Sequence, residues 1–188
     1  MTRSLWVLQY VLIAAGALGL GYFGLANLER LHFQATARRQ FESTARRVPS
    51  DPREQPHDGE LLGRVEIPRL GLSAVVIEGV TGSDLERAAG HIPGTALPGR
   101  AGNTGIAAHR DSFFRPLRRI ERGDLLLLTT PGGTRGYKVV WTTVVSPKDI
   151  QVLYPTSTDS LTLITCFPFD YIGAAPKRFV VRGERVKG

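Results

Sequence analysis

The strongest constraint on the fold of this 188-residue chain is an N-terminal stretch without any charge. From Ser4 to Leu28 the sequence contains no Asp, Glu, Lys or Arg. As a helix the stretch would span about 37 Å, more than the roughly 30 Å hydrocarbon core of a bilayer. Trp6, Tyr10 and Tyr22 lie towards its ends, where aromatic rings favour the membrane interface. The sequence therefore predicts a transmembrane anchor over residues 1–28.

The residues that flank this stretch leave two alternatives open. Gly24-Leu25-Ala26 resembles a cleavage site for signal peptidase, although the apolar run exceeds the roughly 7–15 residues typical of a secretion signal. Only Arg3 precedes the stretch. Arg30, Arg38 and Arg39 follow it, and the positive-inside bias taken alone would put the following domain in the cytoplasm.

The next segment has a composition that cannot form a core. Residues 29–60 are predicted to be a juxtamembrane stalk and a linker, because Pro49–Glu60 is rich in proline and charge and almost free of apolar residues. His32 and His57 fall in this segment and are set aside as site residues. The folded domain is predicted to occupy residues 61–188.

From Leu61 onward, the turn-forming residues Gly, Pro, Asp and Asn separate short apolar runs, which is typical of a β protein. Short runs rich in Val, Ile, Leu and Thr predict seven strands, and an eighth strand is expected near Ile150–Leu153. One helix is also predicted: Ser83 and Glu86 suggest a capping box at its start, and Gly90 is expected to end it. This pattern favours a mostly β fold, either a closed barrel or a sandwich, over alternating βαβ units. The seven runs are Leu61–Ile67, Leu72–Ile77, Asn103–Ala108, Asp124–Thr130, Gly136–Val145, Leu161–Cys166 and Arg178–Arg182.

The single cysteine is the main candidate for chemistry. One Cys excludes an internal disulfide framework and any multi-Cys zinc or iron–sulfur site. Cys166 ends a predicted strand before Pro168, beside a loop, and sites are commonly built at strand ends. A buried, inert thiol is the alternative.

Two further residues could act on this thiol. If the strands of Cys166 and Arg178 pair antiparallel, Arg178 begins level with the thiol and could stabilise a thiolate or an oxyanion. His109 ends another predicted strand and could pass a proton during acyl transfer. His91, after the helix, is assigned either a turn hydrogen bond or a substrate contact.

In their order along the chain, these residues resemble the sortase family. The resemblance rests on His109, on TLITC ending one strand and on KRFVV opening the next. TLITCFPFDYIGAAPKRFVV and HIPGTALPGRAGNTGIAAHRDSFF are most similar to class D sortases and to the sortases of Gram-negative bacteria. Ala108, where a Gly often precedes the His, and Phe167, where Tyr is common, depart from the pattern without touching the reacting groups.

This resemblance implies an eight-stranded barrel held at the outer face of the cytoplasmic membrane by a single span. It implies a cysteine transpeptidase that cleaves proteins at a C-terminal LPxTG-like sorting signal. Cys166 would form the thioacyl enzyme, His109 would be general acid and then base, and Arg178 would stabilise the oxyanion or position the signal. Thr165 would help to place the signal.

The implied partners are proteins with such signals and an amine acceptor, either a peptidoglycan precursor or a lysine of another surface protein. No cofactor or metal is expected, since the loop between Val145 and Leu161, which would border the signal's groove by family analogy, has no acidic cluster for calcium. The net charge of +7 suits anionic partners, but the domain lacks the basic stripe with interleaved aromatics expected for nucleic acid.

Three other classes were weighed. An L,D-transpeptidase would show a Ser-His-Gly-Cys cluster, which this sequence lacks. A papain-like peptidase usually has its Cys before its His. The remaining alternative is a non-catalytic, membrane-tethered binding module in which Cys166 is merely packed.

Overall fold

The computed structural model describes residues 6–22, 24, 28, 36 and 56–186. Residues 6–22 form a helix, α1. Within the described residues, no helix meets the length and apolarity needed to cross a membrane. Most of the predicted stalk and linker, residues 29–35 and 37–55, lies outside the described residues.

Eight strands in the described part of the chain form a closed barrel, which confirms the predicted fold class. Their order around the barrel is β1-β2-β3-β4-β7-β8-β6-β5. The pairs β2–β3 and β4–β7 are parallel, and the other neighbours are antiparallel. The strands are β1 (Leu61–Ile67), β2 (Leu72–Glu78), β3 (Ala89–His91), β4 (Asn103–Ala107), β5 (Leu125–Thr130), β6 (Gly133–Val145), β7 (Ser160–Phe167) and β8 (Lys177–Arg185).

The barrel interior is filled by alternate residues of these strands, as the period of two requires. Ile106 of β4, Leu161 and Leu163 of β7 and Val181 of β8 are fully buried in one core cluster. Their strand neighbours therefore point to the outer face of the barrel. This alternation decides which side chains of β4, β7 and β8 can meet outside the core.

The predicted eighth strand near Ile150–Leu153 is wrong. That segment is a short 3-10 turn, and the missing barrel strand is β3. β3 is only three residues long, too short for an alternation pattern to be visible in the sequence. Its backbone is satisfied by parallel pairing with β2 and antiparallel pairing with β4.

The single helix predicted within the folded domain exists, with corrected ends. Helix α2 (Gly82–Arg87) is capped by Thr81, not Ser83: the Asp84 amide donates to Thr81 Oγ1 at 3.3 Å, and the Thr81 amide donates to Asp84 Oδ2 at 3.1 Å. Gly90 does not end the helix but lies in β3. A Cβ on Gly90 would lie 2.1 Å from the Gly79 carbonyl oxygen, so the glycine permits close strand approach.

Candidate active site

Strand β7 carries Cys166 to the rim of the barrel. Leu161 and Leu163 face the core, so Thr162, Ile164 and Cys166 point to the outer face. Cys166 is a free cysteine and is partly exposed. The thiol is therefore not sealed within the hydrophobic core.

Strand β4 brings His109 beside the thiol. β4 and β7 are parallel, with Ala107 opposite Ile164, and the Ala108 amide donates to the Ile164 carbonyl oxygen at 3.2 Å. Continuing this register by two residues puts His109 level with Cys166. Because Ile106 and Ala108 belong to the core cluster, His109 follows on the same outward side as Ala107. The His109 side chain is half-buried.

Strand β8 supplies Arg178 from the other side of β7. The two strands are antiparallel, and Arg178 lies directly opposite Cys166. Val181 and Phe179 pack on the core, so Arg178 points outward with the thiol. Arg178 Nη1 donates to the carbonyl oxygens of Ala175 at 3.2 Å and Lys177 at 3.0 Å, which hold the guanidinium at the start of the strand.

Cys166 and Arg178 thus lie opposite each other on β7 and β8, and His109 follows two residues after the end of β4, on the other side of β7. Neighbouring strands in a sheet are about 4.8 Å apart, within reach for an imidazole and a guanidinium that flank a sulfur. The carboxyl ends of the parallel strands β4 and β7 meet the amino end of β8 at this edge. Such a group contains a nucleophile, a proton carrier and a fixed cation, which are the components of acyl transfer.

Thr165 lies beside Cys166 but faces the interior. It is 2% exposed, and its hydroxyl donates to the Ala108 carbonyl oxygen at 2.7 Å. That oxygen shares a peptide plane with the nitrogen of His109, so the bond fixes where His109 begins. In this structure Thr165 orients the histidine segment, and its hydroxyl is committed to that role.

His91 lies away from the rim, in β3. It is 1% exposed, and its Nδ1 lies 2.7 Å from Glu78 Oε2. Its Nε2 lies 3.0 Å from Thr95 Oγ1 and 3.1 Å from the Ala96 carbonyl oxygen. Both ring nitrogens are thus engaged within the protein, in a turn-type arrangement, and we do not carry His91 into the substrate site.

The loop after β7 is tied to the histidine segment. Arg110 Nη2 donates to the carbonyl oxygens of Tyr171 at 2.5 Å and Gly173 at 2.9 Å. The Phe114 amide donates to the His109 carbonyl oxygen at 3.1 Å. Sequence reasoning missed Arg110, because a side chain that bonds backbone carbonyls sixty residues away leaves no motif.

The segment between β6 and β7 covers the outer face of the barrel beyond the three aligned residues. Leu153 lies over Gly105 of β4: a Cβ on this glycine would come within 2.9 Å of Leu153 Cδ2. Gly105 points outward on the same strand as His109, four residues away. An extended peptide that reaches the thiol along this face would therefore run towards Leu153.

No group of three or more metal-ligating side chains occurs in the part of the chain that the structure describes.

A family model for the sortase domain matches residues 65–186. Sortase D of Bacillus subtilis (strain 168) is 35% identical over 133 residues, covering 70% of this chain and 67% of that protein. Sortase A of Listeria monocytogenes serovar 1/2a is 28% identical over 131 residues, covering 68% of this chain and 57% of that protein.

Solved structures agree with these sequence matches. A Clostridium perfringens sortase D5 transpeptidase superposes with a TM-score of 0.72 at 25% identity, covering 83% of this chain and 99% of that one. Sortase C1 of Streptococcus suis superposes with a TM-score of 0.64 at 29% identity, covering 69% and 75%. These matches identify the chain as a cysteine transpeptidase. The chain belongs to the sortase family, and the similarity to sortase D is consistent with the class D resemblance of its sequence.

Proposed function

We propose that this sortase cleaves proteins at an LPxTG-like C-terminal signal and transfers the released acyl group to an amine. The proposal is supported above all by the pairing of Cys166 with Arg178 on β7 and β8, and by the register of β4 with β7, which extended by two residues puts His109 beside the thiol. The family match supports transpeptidation as the reaction class.

The first half-reaction breaks the signal at its Thr–Gly bond. Cys166 Sγ attacks the Thr carbonyl carbon and a C–S bond forms. The C–N bond then breaks, and His109 gives the leaving amine the proton that balances the loss of the thiol proton. The Arg178 guanidinium donates hydrogen bonds to the oxyanion or holds the neighbouring peptide.

The second half-reaction returns the enzyme to its starting state. The acceptor amine attacks the thioacyl carbon, a C–N bond forms and the C–S bond breaks. His109 now accepts the proton that the amine loses and passes it to the departing sulfur, which restores the thiol at Cys166. The acceptor is a peptidoglycan precursor or a lysine of another protein, since either supplies a primary amine.

We further propose that a single N-terminal span holds the enzyme in the cytoplasmic membrane, with the barrel outside the cytoplasm. Support comes from the charge-free residues between Ser4 and Leu28 and from the family's substrates, which are exported proteins. A protease added to intact spheroplasts should digest the barrel, and full protection would contradict this topology.

The proposed chemistry is tested by trapping the acyl enzyme. The full chain in detergent is incubated with an LPxTG-like peptide that carries a fluorophore and a quencher on either side of the Thr–Gly bond. We expect cleavage, an acyl adduct on Cys166 by mass spectrometry, and a new product when hydroxylamine is added. Cys166→Ala should abolish all three while retaining the melting temperature. Cleavage without any adduct on Cys166 would refute the mechanism.

A non-catalytic binding module remains the competing interpretation. Partial exposure of the thiol argues against it, because a merely packed cysteine would be sealed in the core. Iodoacetamide should alkylate Cys166 in the folded protein. A thiol that resists the reagent until the chain is unfolded would favour the binding module.

A further inference from the structure

Three buried polar side chains on the outer face of the barrel hold the segment between β6 and β7. Asn103 of β4, Thr162 of β7 and Arg182 of β8 are 2%, 0% and 7% exposed. They lie on three adjacent strands, as the site residues do, but about 13 Å away from them, since Thr162 precedes Cys166 by four residues. We refer to Asn103, Thr162 and Arg182 as the polar clasp.

Two side chains of the polar clasp donate hydrogen bonds to the same backbone carbonyl oxygen. Arg182 Nη2 donates to the Val152 carbonyl oxygen at 2.5 Å, and Asn103 Nδ2 donates to the same oxygen at 3.3 Å. Asn103 Nδ2 also donates to the Tyr154 carbonyl oxygen at 3.1 Å. The Thr162 hydroxyl donates to Asn103 Oδ1 at 2.6 Å, which fixes the amide with its nitrogen towards both carbonyls.

Burying the charged guanidinium of Arg182 at this position costs free energy of folding. Its Nε is buried without a hydrogen-bond acceptor, and none of the described carboxylates forms an ion pair with it. Burial lowers the pKa of Arg182. Its guanidinium stacks 5.2 Å from the centre of the Trp141 ring, which compensates part of the desolvation.

The carbonyls that the clasp holds flank Leu153, the residue that lies over the outer face of β4. Val152 and Tyr154 are the neighbours of Leu153, whose side chain lies over Gly105 on the face that leads to His109. Fixing the two carbonyls fixes the position of Leu153 between them. A loosened segment would leave the far end of this face without a defined wall.

We propose that Arg182, with Asn103 and Thr162, is a positioning residue that fixes the backbone of residues 152–154, so that Leu153 forms a wall on the outer face along which the signal reaches the thiol. This inference rests on the proposed function for its substrate. The clasp touches none of the reacting atoms. Its loss should therefore weaken binding of the signal while the chemical step at Cys166 continues.

The test compares Arg182→Met with Arg119→Met, an exposed arginine on a turn outside the clasp. For Arg182→Met we expect KM for the LPxTG-like peptide to rise about tenfold, because the signal then binds against a wall whose position is no longer fixed. Because the variant loses the hydrogen bond to the Val152 carbonyl oxygen and the contact with Trp141, its melting temperature should fall moderately, whereas kcat and the rate of Cys166 alkylation should change less than about twofold. Arg119→Met should match the wild type throughout.

A second variant and a second measurement keep the proposal independent of substrate turnover. Thr162→Val removes the hydroxyl that orients Asn103, and it should raise KM in the same sense as Arg182→Met. Hydrogen exchange of residues 150–154 should become faster in both variants, while exchange in β5 stays unchanged.

The outcomes separate the two proposals. An unchanged KM in Arg182→Met with an active wild type overturns the clasp as a positioning device. A fall in melting temperature with KM unaffected shows a purely structural role and overturns it as well. A wild type that binds and cleaves no signal contradicts the proposed function, and the exchange of residues 150–154 then still decides whether the clasp holds the segment.

Discussion

Removing the hydroxyl of Thr165 tests whether His109 is positioned from the interior of the barrel. Thr165→Val keeps the branched shape and the strand preference of the side chain, and deletes only the donor to the Ala108 carbonyl oxygen at 2.7 Å. Thr165 is 2% exposed, so water cannot easily replace that donor. The buried carbonyl is left without this partner.

The cost follows from the hydrogen bond and its burial. A buried acceptor left unsatisfied costs about 1–3 kcal/mol of unfolding free energy. For a domain of this size each kcal/mol lowers the melting temperature by about 4 °C, so we expect a decrease of about 4–12 °C. The peptide plane that carries His109 is then free to rotate, and a displaced proton carrier should lower kcat by about ten- to a hundredfold.

The assay measures the melting temperature, kcat and KM with the quenched peptide, next to Thr165→Ser as the matched control. Serine retains the hydroxyl and loses one methyl group, so it should keep kcat near the wild-type value even if its melting temperature falls. Equal kcat values for the valine and serine variants would refute the argument, because they would show that the hydroxyl does not govern His109.

The remaining predictions concern three other positions. Arg178→Lys keeps the charge but loses the planar fork opposite Cys166, so kcat/KM should fall at least about tenfold, and unchanged kinetics would remove Arg178 from the site. Gly90→Ala places a Cβ against the Gly79 carbonyl oxygen and should lower the melting temperature or prevent folding, whereas wild-type stability would contradict the close approach of β3. The hydrogen bond from Arg69, with burial opposing it, lowers the pKa of Asp124. Because the pKa of Asp124 is lower in the folded than in the unfolded state, its ionised form stabilises the barrel at pH values above the unfolded pKa. This stabilisation is lost as the pH falls through the folded pKa. Urea unfolding should thus show stability declining below about pH 4, with a smaller decline in Asp124→Asn.

Strand prediction succeeded where the chain offers long apolar runs and failed where it does not. β1 was predicted with its observed bounds, and β7 and β8 within a few residues. β3 was missed, since three residues that include Gly90 show no alternation. The prediction of a strand at Ile150–Leu153 was wrong, because an apolar composition is found both in strands and in turns that pack against a strand.

The candidate site was predictable only in part. Cys166, His109 and Arg178 stand at strand boundaries that the sequence marks with Pro, Gly and charged residues. Thr165 was predicted to help place the signal, and for His91 a turn hydrogen bond and a substrate contact were both open; the structure shows both residues making buried hydrogen bonds within the protein. Whether a polar side chain faces a ligand or a neighbouring carbonyl depends on which strand lies beside it.

The sequence by itself determined a mostly β domain and the candidate thiol, imidazole and guanidinium, because these follow from residue types and short-range periodicity, and its resemblance to sortases implied the class and the barrel. Only the tertiary structure decided that β4 pairs in parallel with β7, and hence that His109 stands level with Cys166. It also decided that Asn103, Thr162 and Arg182 converge on one loop carbonyl. Strand pairing depends on how much apolar surface the whole barrel buries, and a local sequence pattern does not contain that information.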